Sequence, residues 1–378
     1  MLNKSFACAR SAIFAALCAV CVAAQSPVSL KAAYQNDFPI GAAINAAQIN
    51  GNDARGDALL KSQFNSISPE NELKWERVHP QPGKYEFAQA DRYVALGQEY
   101  HMFIVGHCLI WHSQTPAWVF RDEKGSLLGR EALLARMKEH IQTVVGRYKG
   151  KIQTWDVVNE ALNEDGTLRQ SPWLRAIGED YIEKAFVYAH EADPQAQLVY
   201  NDYNLENPAK RAGAVALVKK LQAAGAPITV VGIQGHLSLT SPSAADEGAA
   251  IAEFAALGLK VSISELDINL LPTPGFGPTA DVSLKVAQAP KLNPYVNGLP
   301  EDVQRQLATR YAELFRVFIE HRADLQRVTF WGVDDGDSWL NGWPVMGRTN
   351  YPLLFGRDGK PKLAFDAVIG VATEAKAH

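Results

Sequence analysis

The sequence is poor in cysteine. Of its 378 residues four are cysteines, and Cys8, Cys18 and Cys21 all lie within the first 24 positions. We expect residues 1–24 to be a signal peptide, so the mature chain would keep Cys108 alone and form no internal disulfide. Stability must then come from a large hydrophobic core, which a chain of about 350 residues can supply.

The first 24 residues have the pattern of an export signal. Lys4 and Arg10 form a positive start, residues 11–24 are apolar and uncharged, and small residues at 22–24 suit cleavage. A membrane anchor is the alternative, but a run of about 14 apolar residues is too short to span a bilayer. Lipid attachment at one of the cysteines is disfavoured, because the preceding residues match a lipidation box poorly. We therefore expect export, to the periplasm or the medium.

The chain also lacks a strong charge of either sign. The net charge is -4, with 21% charged and 47% hydrophobic residues. This balance is typical of a globular protein, and the sequence has no excess of basic residues for binding nucleic acid. A neutral substrate fits better than a polyanion. No low-complexity linker follows residue 35, so we expect one catalytic domain over residues 25–378, acting as a monomer without attachment to a membrane.

Apolar β-type runs alternate with helical periodicity along the chain. Helices are expected at 130–148, where Leu133, Leu134, Met137, Ile141, Val144 and Val145 form one stripe, and at 172–190, 208–224 and 301–321. Eight alternations predict an α/β fold, a single-domain (β/α)8 TIM barrel. An open doubly wound sheet is the alternative, but no glycine-rich phosphate turn follows the first run. The eight runs are 39–44, 63–69, 102–111, 152–160, 196–202, 228–236, 260–267 and 327–336.

One connection is unusually long. Residues 269–300 contain six prolines and no clear periodicity. Because this segment follows the seventh run, it would lie on the C-terminal face of the barrel. It is predicted to be either a surface insertion without a role or a wall of a cleft.

Polar residues collect at the C-terminal ends of seven runs. In a barrel, this face carries the active site because the loops there converge on one mouth. Taken alone, one such residue is more often a helix cap or a buried polar group with its hydrogen bonds made. Repetition of the pattern on seven strands favours a functional site. The residues are Glu70 and Asn71, His107, Trp111 and His112, Asn159 and Glu160, Asn201 and Asp202, Gln234 and His236, Glu265 and Asp267, and Trp331, Asp334 and Asp335.

Six of these segments, in order, resemble the motifs of family 10 glycoside hydrolases, the retaining endo-1,4-β-xylanases. The resemblance covers about residues 35–370. The departures are Leu73, where methionine is frequent, and Cys108, where threonine is frequent; we expect Cys108 to be a packed thiol. The segments are PENELKW at 69–75, GHCLIWHSQ at 106–114, WDVVNE at 155–160, GIQGH at 232–236, ISELD at 263–267 and WGVDDGDSW at 331–339.

The resemblance implies that Glu160 is the general acid/base and Glu265 the nucleophile. Two carboxylates about 5 Å apart are the machinery of a retaining glycosidase. At an effective dielectric constant near 20 their charges repel by roughly 3 kcal/mol, so ionised Glu265 is expected to keep Glu160 protonated. Once Glu265 is esterified to the sugar this repulsion ends, and Glu160 can act as a base.

The same resemblance implies supporting roles for further residues. His236, backed by Asp267, would keep Glu265 ionised and oriented, and Asn159 would bond the sugar 2-hydroxyl. Trp75 is expected to pack in the core. No cofactor or metal is expected, and the partners would be xylan and xylo-oligosaccharides. The residues expected to bind sugars are Glu70, Asn71, Lys74, His107, Trp111, Gln234, Trp331 and Trp339.

Three other functions are alternatives to a xylanase. A retaining β-1,4-glucanase or cellulase could use the same fold, and bulk near the hydroxymethyl arm of glucose would decide; we expect Trp339 to block that arm. A sugar-binding protein without catalysis is disfavoured by the intact glutamate pair. A metal-dependent hydrolase is disfavoured because His107 and His112 should fall on opposite strand faces without a further ligand.

Overall fold

The structure is a computed structural model that describes residues 29–275 and 281–377. The predicted signal peptide, residues 1–24, lies outside the described residues. Within them, strands and helices alternate as expected from the sequence. No helix in this part of the chain is long and apolar enough to cross a membrane.

Every predicted β-type run contains a strand. The sixth run, 228–236, is divided in two, because Gly235 has a positive φ of 78° between Ile233 and His236. The strands are β1 Ile40–Ile44, β2 Ser66–Pro69, β3 Phe103–Trp111, β4 Thr154–Asn159, β5 Gln197–Asp202, β6 Val230–Ile233, β7 His236–Ser238, β8 Lys260–Asn269 and β9 Leu325–Phe330.

The strands form a closed parallel barrel. Their order is β6-β5-β4-β3-β2-β1-β9-β8-β7, and β6 also pairs with β8, which closes the ring. Counting β6 and β7 as two halves of one strand gives eight barrel strands. Closure excludes the open doubly wound sheet and confirms the predicted (β/α)8 barrel.

Helices cover the outside of the barrel. The predicted helix 172–190 is two helices, because Gly178 ends the first with a φ of 102° and its N–H bonds Leu174 O. The helices are α1 Leu30–Ala33, α2 Ala46–Ile49, α3 Ala54–Gln63, α4 Trp75–Val78, α5 Ala88–Glu99, α6 Arg130–Arg147, α7 Pro172–Ile177, α8 Tyr181–Ala192, α9 Pro208–Ala223, α10 Ala244–Ala255, α11 Glu301–Glu320 and α12 Leu363–Lys376, with 3-10 turns at Ala117–Phe120, Pro290–Leu292 and Trp339–Asn341.

The main hydrophobic core lies between the barrel and the helices. The predicted stripe of α6 is buried, and every one of its six residues is at most 8% exposed. Trp75 is 2% exposed and stacks on His140 with ring centroids 3.6 Å apart, which confirms its packing role. Cys108 is a buried free thiol, as expected.

Strand register brings the polar strand ends to one level. Trp111 on β3 is paired with Asn159 on β4, and Asn159 is paired with Asn201 on β5. Across the opening, His236 on β7 is paired with Asp267 on β8. Parallel strands end at the same rim, so these side chains surround a single mouth.

Candidate active site

A cavity of about 620 Å³ opens at the C-terminal rim of the barrel. All thirteen residues to which the resemblance gives a role line it, so strand topology has gathered positions spread over some 270 residues of sequence. These are Glu70, Asn71, Lys74, His107, Trp111, Asn159, Glu160, Gln234, His236, Glu265, Asp267, Trp331 and Trp339. Five other strand-end residues are not among its lining: His112, Asn201, Asp202, Asp334 and Asp335.

Glu160 follows the last residue of β4 and accepts three N–H hydrogen bonds. Trp111 Nε1 donates to Oε2 at 2.8 Å, while Gln234 Nε2 and Asn159 Nδ2 donate to Oε1 at 3.0 and 3.3 Å. The side chain is buried apart from its approach to the cavity, with 7% of the residue exposed. These contacts fix the orientation of the carboxylate.

Glu265 lies in the middle of β8 and has different neighbours. Asn201 Nδ2 donates to Oε1 at 2.8 Å, and His236 Nε2 lies 3.2 Å from Oε2. Burial by itself would raise the pKa of Glu265, but the His236 hydrogen bond and the nearby charges of His107 and His236 hold it below its usual value. Glu265 is therefore a buried carboxylate that stays ionised.

His236 is held between two carboxylates. Its Nδ1 lies 3.0 Å from Asp267 Oδ1, and its Nε2 faces Glu265. Burial disfavours the charged imidazolium, but Asp267 and Glu265 outweigh burial and raise the pKa of His236 to about 10. The raised pKa favours the imidazolium form at neutral pH, with one carboxylate beside each ring nitrogen.

The two glutamates are joined by a short chain of amide side chains. Asn159 Nδ2 donates to Glu160, and Asn159 Oδ1 accepts from Asn201 Nδ2 at 2.9 Å. The same Asn201 amide nitrogen donates to Glu265. Both carboxylates therefore face one cavity through a single hydrogen-bonded network, although their positions are 105 residues apart in sequence.

A second polar cluster lies on the β2–β3 side of the cavity. Lys74 Nζ donates to Asn71 Oδ1 at 3.1 Å and Gln114 Oε1 at 2.8 Å, and lies 4.9 Å from the centroid of the Trp111 ring. His107 Nδ1 lies 2.9 Å from Asp156 Oδ2. Amide, ammonium and imidazole groups in this cluster can bond the hydroxyl groups of a neutral ligand.

Aromatic rings form the opposite wall. Trp339 Nε1 donates to Asp267 Oδ2 at 2.7 Å, and its ring stacks on Trp343 with centroids 4.9 Å apart. Part of the long connection 269–300 reaches the same wall, where Thr273, Pro274 and Val282 line the cavity. These residues of the connection therefore form part of the cleft wall.

The cavity holds no metal-binding arrangement among residues 29–275 and 281–377. No group of three or more His, Cys, Asp or Glu in that part of the chain could hold an ion. His107 lines the cavity, whereas His112 is not among its lining residues.

The buried carboxylate pair at the mouth of a parallel barrel agrees with the family that the chain matches. The model of "Glycosyl hydrolase family 10" matches residues 29–371. The chain belongs to glycosyl hydrolase family 10.

Curated relatives of this family 10 chain are named as xylanases. Endo-1,4-beta-xylanase A of Xylanibacter ruminicola is 44% identical over 350 residues, which cover 93% of this chain and 95% of the relative. Endo-1,4-beta-xylanase of Geobacillus stearothermophilus is 43% identical over 345 residues, covering 91% and 98%.

Solved structures of similar proteins share the fold. A GH10 endoxylanase retrieved from a sugarcane soil metagenome superposes with a TM-score of 0.87 at 43% identity, covering 91% of this chain and 99% of that one. A mutant protein in complex with xylotriose has a TM-score of 0.82 at 37% identity, covering 90% and 99%.

Several residues of this family 10 site have no role assigned from the sequence, among them Asn201, Tyr203, Trp343 and Arg169. Asn201 is one of the polar strand-end residues, at the place on β5 that pairs with Asn159 on β4. Tyr203 and Trp343 lie in loops beside predicted residues. Arg169, which contacts the backbone of Glu160, gave no signal in the sequence because its contact depends on the path of a loop.

Proposed function

We propose that this protein is an endo-1,4-β-xylanase that hydrolyses internal β-1,4-xylosidic bonds of xylan with retention. The observation that carries the proposal is the pair Glu160 and Glu265, two buried carboxylates in one cavity with different hydrogen-bond partners. Family membership and the names of the relatives support the same substrate.

Glu265 is the nucleophile in this proposal. Its lowered pKa supplies the ionised oxygen that attacks the anomeric carbon, forming a glycosyl ester while the bond to the leaving oxygen breaks. His236 and Asp267 are the supporting pair, because the imidazolium lies against both carboxylates. Esterification neutralises Glu265.

Glu160 is the general acid and then the general base. In the first step the Glu160 carboxyl gives its proton to the departing sugar oxygen. In the second step Glu160 accepts a proton from the water that attacks the anomeric carbon, and the ester to Glu265 breaks. The N–H groups of Trp111, Asn159 and Gln234 stabilise the Glu160 carboxylate present in that step.

Eight residues of the cavity wall bind the sugar chain. Asn159 also bonds the 2-hydroxyl at the cleavage point. The substrates are xylan and xylo-oligosaccharides, with no nucleic acid or membrane partner and no cofactor. The sugar-binding residues are Glu70, Asn71, Lys74, His107, Trp111, Gln234, Trp331 and Trp339, all in the cavity wall.

The domain boundaries and location belong to the same proposal. The family match from 29 to 371 supports one catalytic domain over 25–378. In the same proposal, residues 1–24 are a signal peptide that precedes this domain. The mature protein is exported to the periplasm or the medium and works as a monomer.

The test is Glu265→Ala assayed on xylan, with Glu99→Ala, an exposed residue of α5, as the matched control. Loss of the nucleophile should reduce kcat by roughly 10⁴- to 10⁶-fold, while the control keeps wild-type activity. The wild type should release β-configured products first, as followed by NMR. Unchanged hydrolysis by Glu265→Ala would reject the mechanism.

A further inference from the structure

The backbone of Glu160 has an unusual conformation. Its φ is 56°, in the left-handed region that residues other than glycine adopt rarely. Such a conformation is strained and persists when the surrounding structure holds it. The N–H group of Glu160 continues the β4–β5 ladder, because it donates to Asn201 O at 2.8 Å. The carbonyl group of Glu160 needs a different hydrogen-bond partner.

Arg169 supplies that partner. The segment that follows β4 turns back on itself through a bridge between Leu162 and Leu168, which returns Arg169 to the strand end. Its Nε donates to Glu160 O at 3.0 Å, and its Nη2 donates to Leu162 O at 2.9 Å. Its backbone N donates to Ala161 O at 2.8 Å. One residue therefore holds three successive carbonyl groups, beginning with that of Glu160.

The same guanidinium reaches the cavity wall. Arg169 Nη2 donates to Tyr203 OH at 3.0 Å, and Tyr203 lines the cavity in the loop after β5. Lys210 Nζ lies 3.3 Å from the centroid of the Tyr203 ring and 2.9 Å from Asp202 Oδ1, so the ring is fixed from a second side. Arg169 thus connects the backbone of Glu160 to an aromatic wall of the cleft.

We propose that Arg169 is a positioning residue for proton transfer by Glu160. It touches no reacting atom; it holds the Glu160 backbone in the left-handed conformation and ties it to Tyr203, so the carboxyl group keeps its place beside the departing oxygen. The inference rests on the proposed function, in which Glu160 is the general acid. When the general acid is misplaced, the rate falls most for substrates whose leaving group must be protonated in order to depart.

The test compares two substrates that differ in this need. Phenyl β-xylobioside has a poor leaving group and requires an acid, whereas 2,4-dinitrophenyl β-xylobioside departs without one. For Arg169→Met we expect kcat/KM, which reports release of the aryl group, to fall about 100-fold on the phenyl substrate. On the dinitrophenyl substrate it should change less than about threefold, because the nucleophile is intact.

Three further variants sharpen the result. Arg175→Met, an exposed arginine of α7 that donates to Gln170 O, is the matched control and should behave as the wild type on both substrates. Tyr203→Phe removes one contact of Arg169 and should give the same substrate dependence with a smaller loss. Arg169→Lys keeps the charge without the fork of donors and should recover only part of the activity.

The outcomes separate cleanly. An equal loss on both substrates, or no loss on either, overturns the positioning role of Arg169. Should Arg169→Met fail to fold, the substrate dependence of Tyr203→Phe decides in the same way. If the wild type cleaves neither xylobioside, the proposed function is wrong and the positioning role, which rests on it, is overturned with it.

Discussion

His236 Nε2 lies 3.2 Å from Glu265 Oε2, and the charge on this imidazole helps to keep a buried carboxylate ionised. The pair is stable as an ion pair because Asp267 holds the second ring nitrogen at 3.0 Å. Without Asp267 the imidazolium would be buried with one charged partner. The ionisation of Glu265 is therefore a property of three residues on two adjacent strands.

Removing the imidazolium should shift the pH dependence of activity. The ionised form of Glu265 is the active one and its pKa is lowered, so the acid limb of kcat/KM should lie below pH 4.5, the usual pKa of a glutamate. His236→Asn removes the charge, raises the pKa of Glu265 and moves the limb to higher pH. Loss of a hydrogen bond to a charged group should also cost about 1.5–3 kcal/mol, roughly 10- to 150-fold in rate.

The control for this experiment is His101→Asn, an exposed histidine with a φ of 52° that asparagine tolerates well. Its pH–rate profile should match that of the wild type. An unshifted acid limb in His236→Asn would show that His236 does not set the ionisation of Glu265.

Lys74 should contribute to sugar binding more than to bond cleavage. The residue is 7% exposed, and its Nζ donates to Asn71 and Gln114 at the cavity wall. In Lys74→Met we expect KM for xylohexaose to rise about 10- to 100-fold while kcat changes severalfold at most. Lys84→Met, at an exposed lysine, should leave both parameters unchanged. A fall in kcat alone would place Lys74 in the chemical step.

The barrel and the rim that carries the site could be predicted from apolar patterning for one physical reason, whereas the roles of individual residues came from the resemblance to family 10. Parallel strands covered on both faces are nearly continuous apolar runs, so a polar residue at the end of a run is conspicuous. Glu160 directly follows β4, whereas Glu265 ends the apolar part of its run and the strand itself continues to Asn269. Their common rim follows from topology alone, since parallel strands in a barrel all end on one face.

Other features depend on backbone geometry that apolar patterning does not reveal. The positive φ of Gly235 divides a run that reads as one strand, and Gly178 divides a run that reads as one helix. The Arg169–Glu160 contact depends on a loop that turns back on itself. The stacking of Trp343 on Trp339 depends on the turn between them.

A buried histidine pair outside the site should make stability sensitive to acid. His79 Nδ1 lies 3.3 Å from His140 Nδ1, and burial lowers the pKa of His79 from 6.5 to about 4. Between these values the unfolded chain binds a proton that the folded chain does not. The free energy of unfolding should therefore fall as the pH drops from 6.5 to 4.

The measurement is urea unfolding at several pH values in this window. His79→Phe keeps a ring stacked on Tyr85, which lies 3.9 Å from the His79 ring, and should show a shallower decline of unfolding free energy with acid. His190→Phe, an exposed histidine of α8, should keep the wild-type slope. Identical slopes in wild type and His79→Phe would show that His79 does not cause the decline of the unfolding free energy in acid.

Trp339 should decide between xylose and glucose at the cleavage point. Xylose lacks the hydroxymethyl arm of glucose, and the Trp339 ring occupies the wall beside Glu265, fixed by its bond to Asp267 and its stack on Trp343. Trp339→Ala should therefore increase the ratio of aryl-glucoside to aryl-xyloside turnover, by about 10-fold or more, a gain typical of removing a steric clash worth 1–3 kcal/mol. Trp339→Phe keeps a flat ring without the N–H donor and should leave the ratio near that of the wild type. If Trp339→Ala loses both activities in proportion, the ring supports Asp267 but does not exclude the arm, and discrimination must come from another part of the wall.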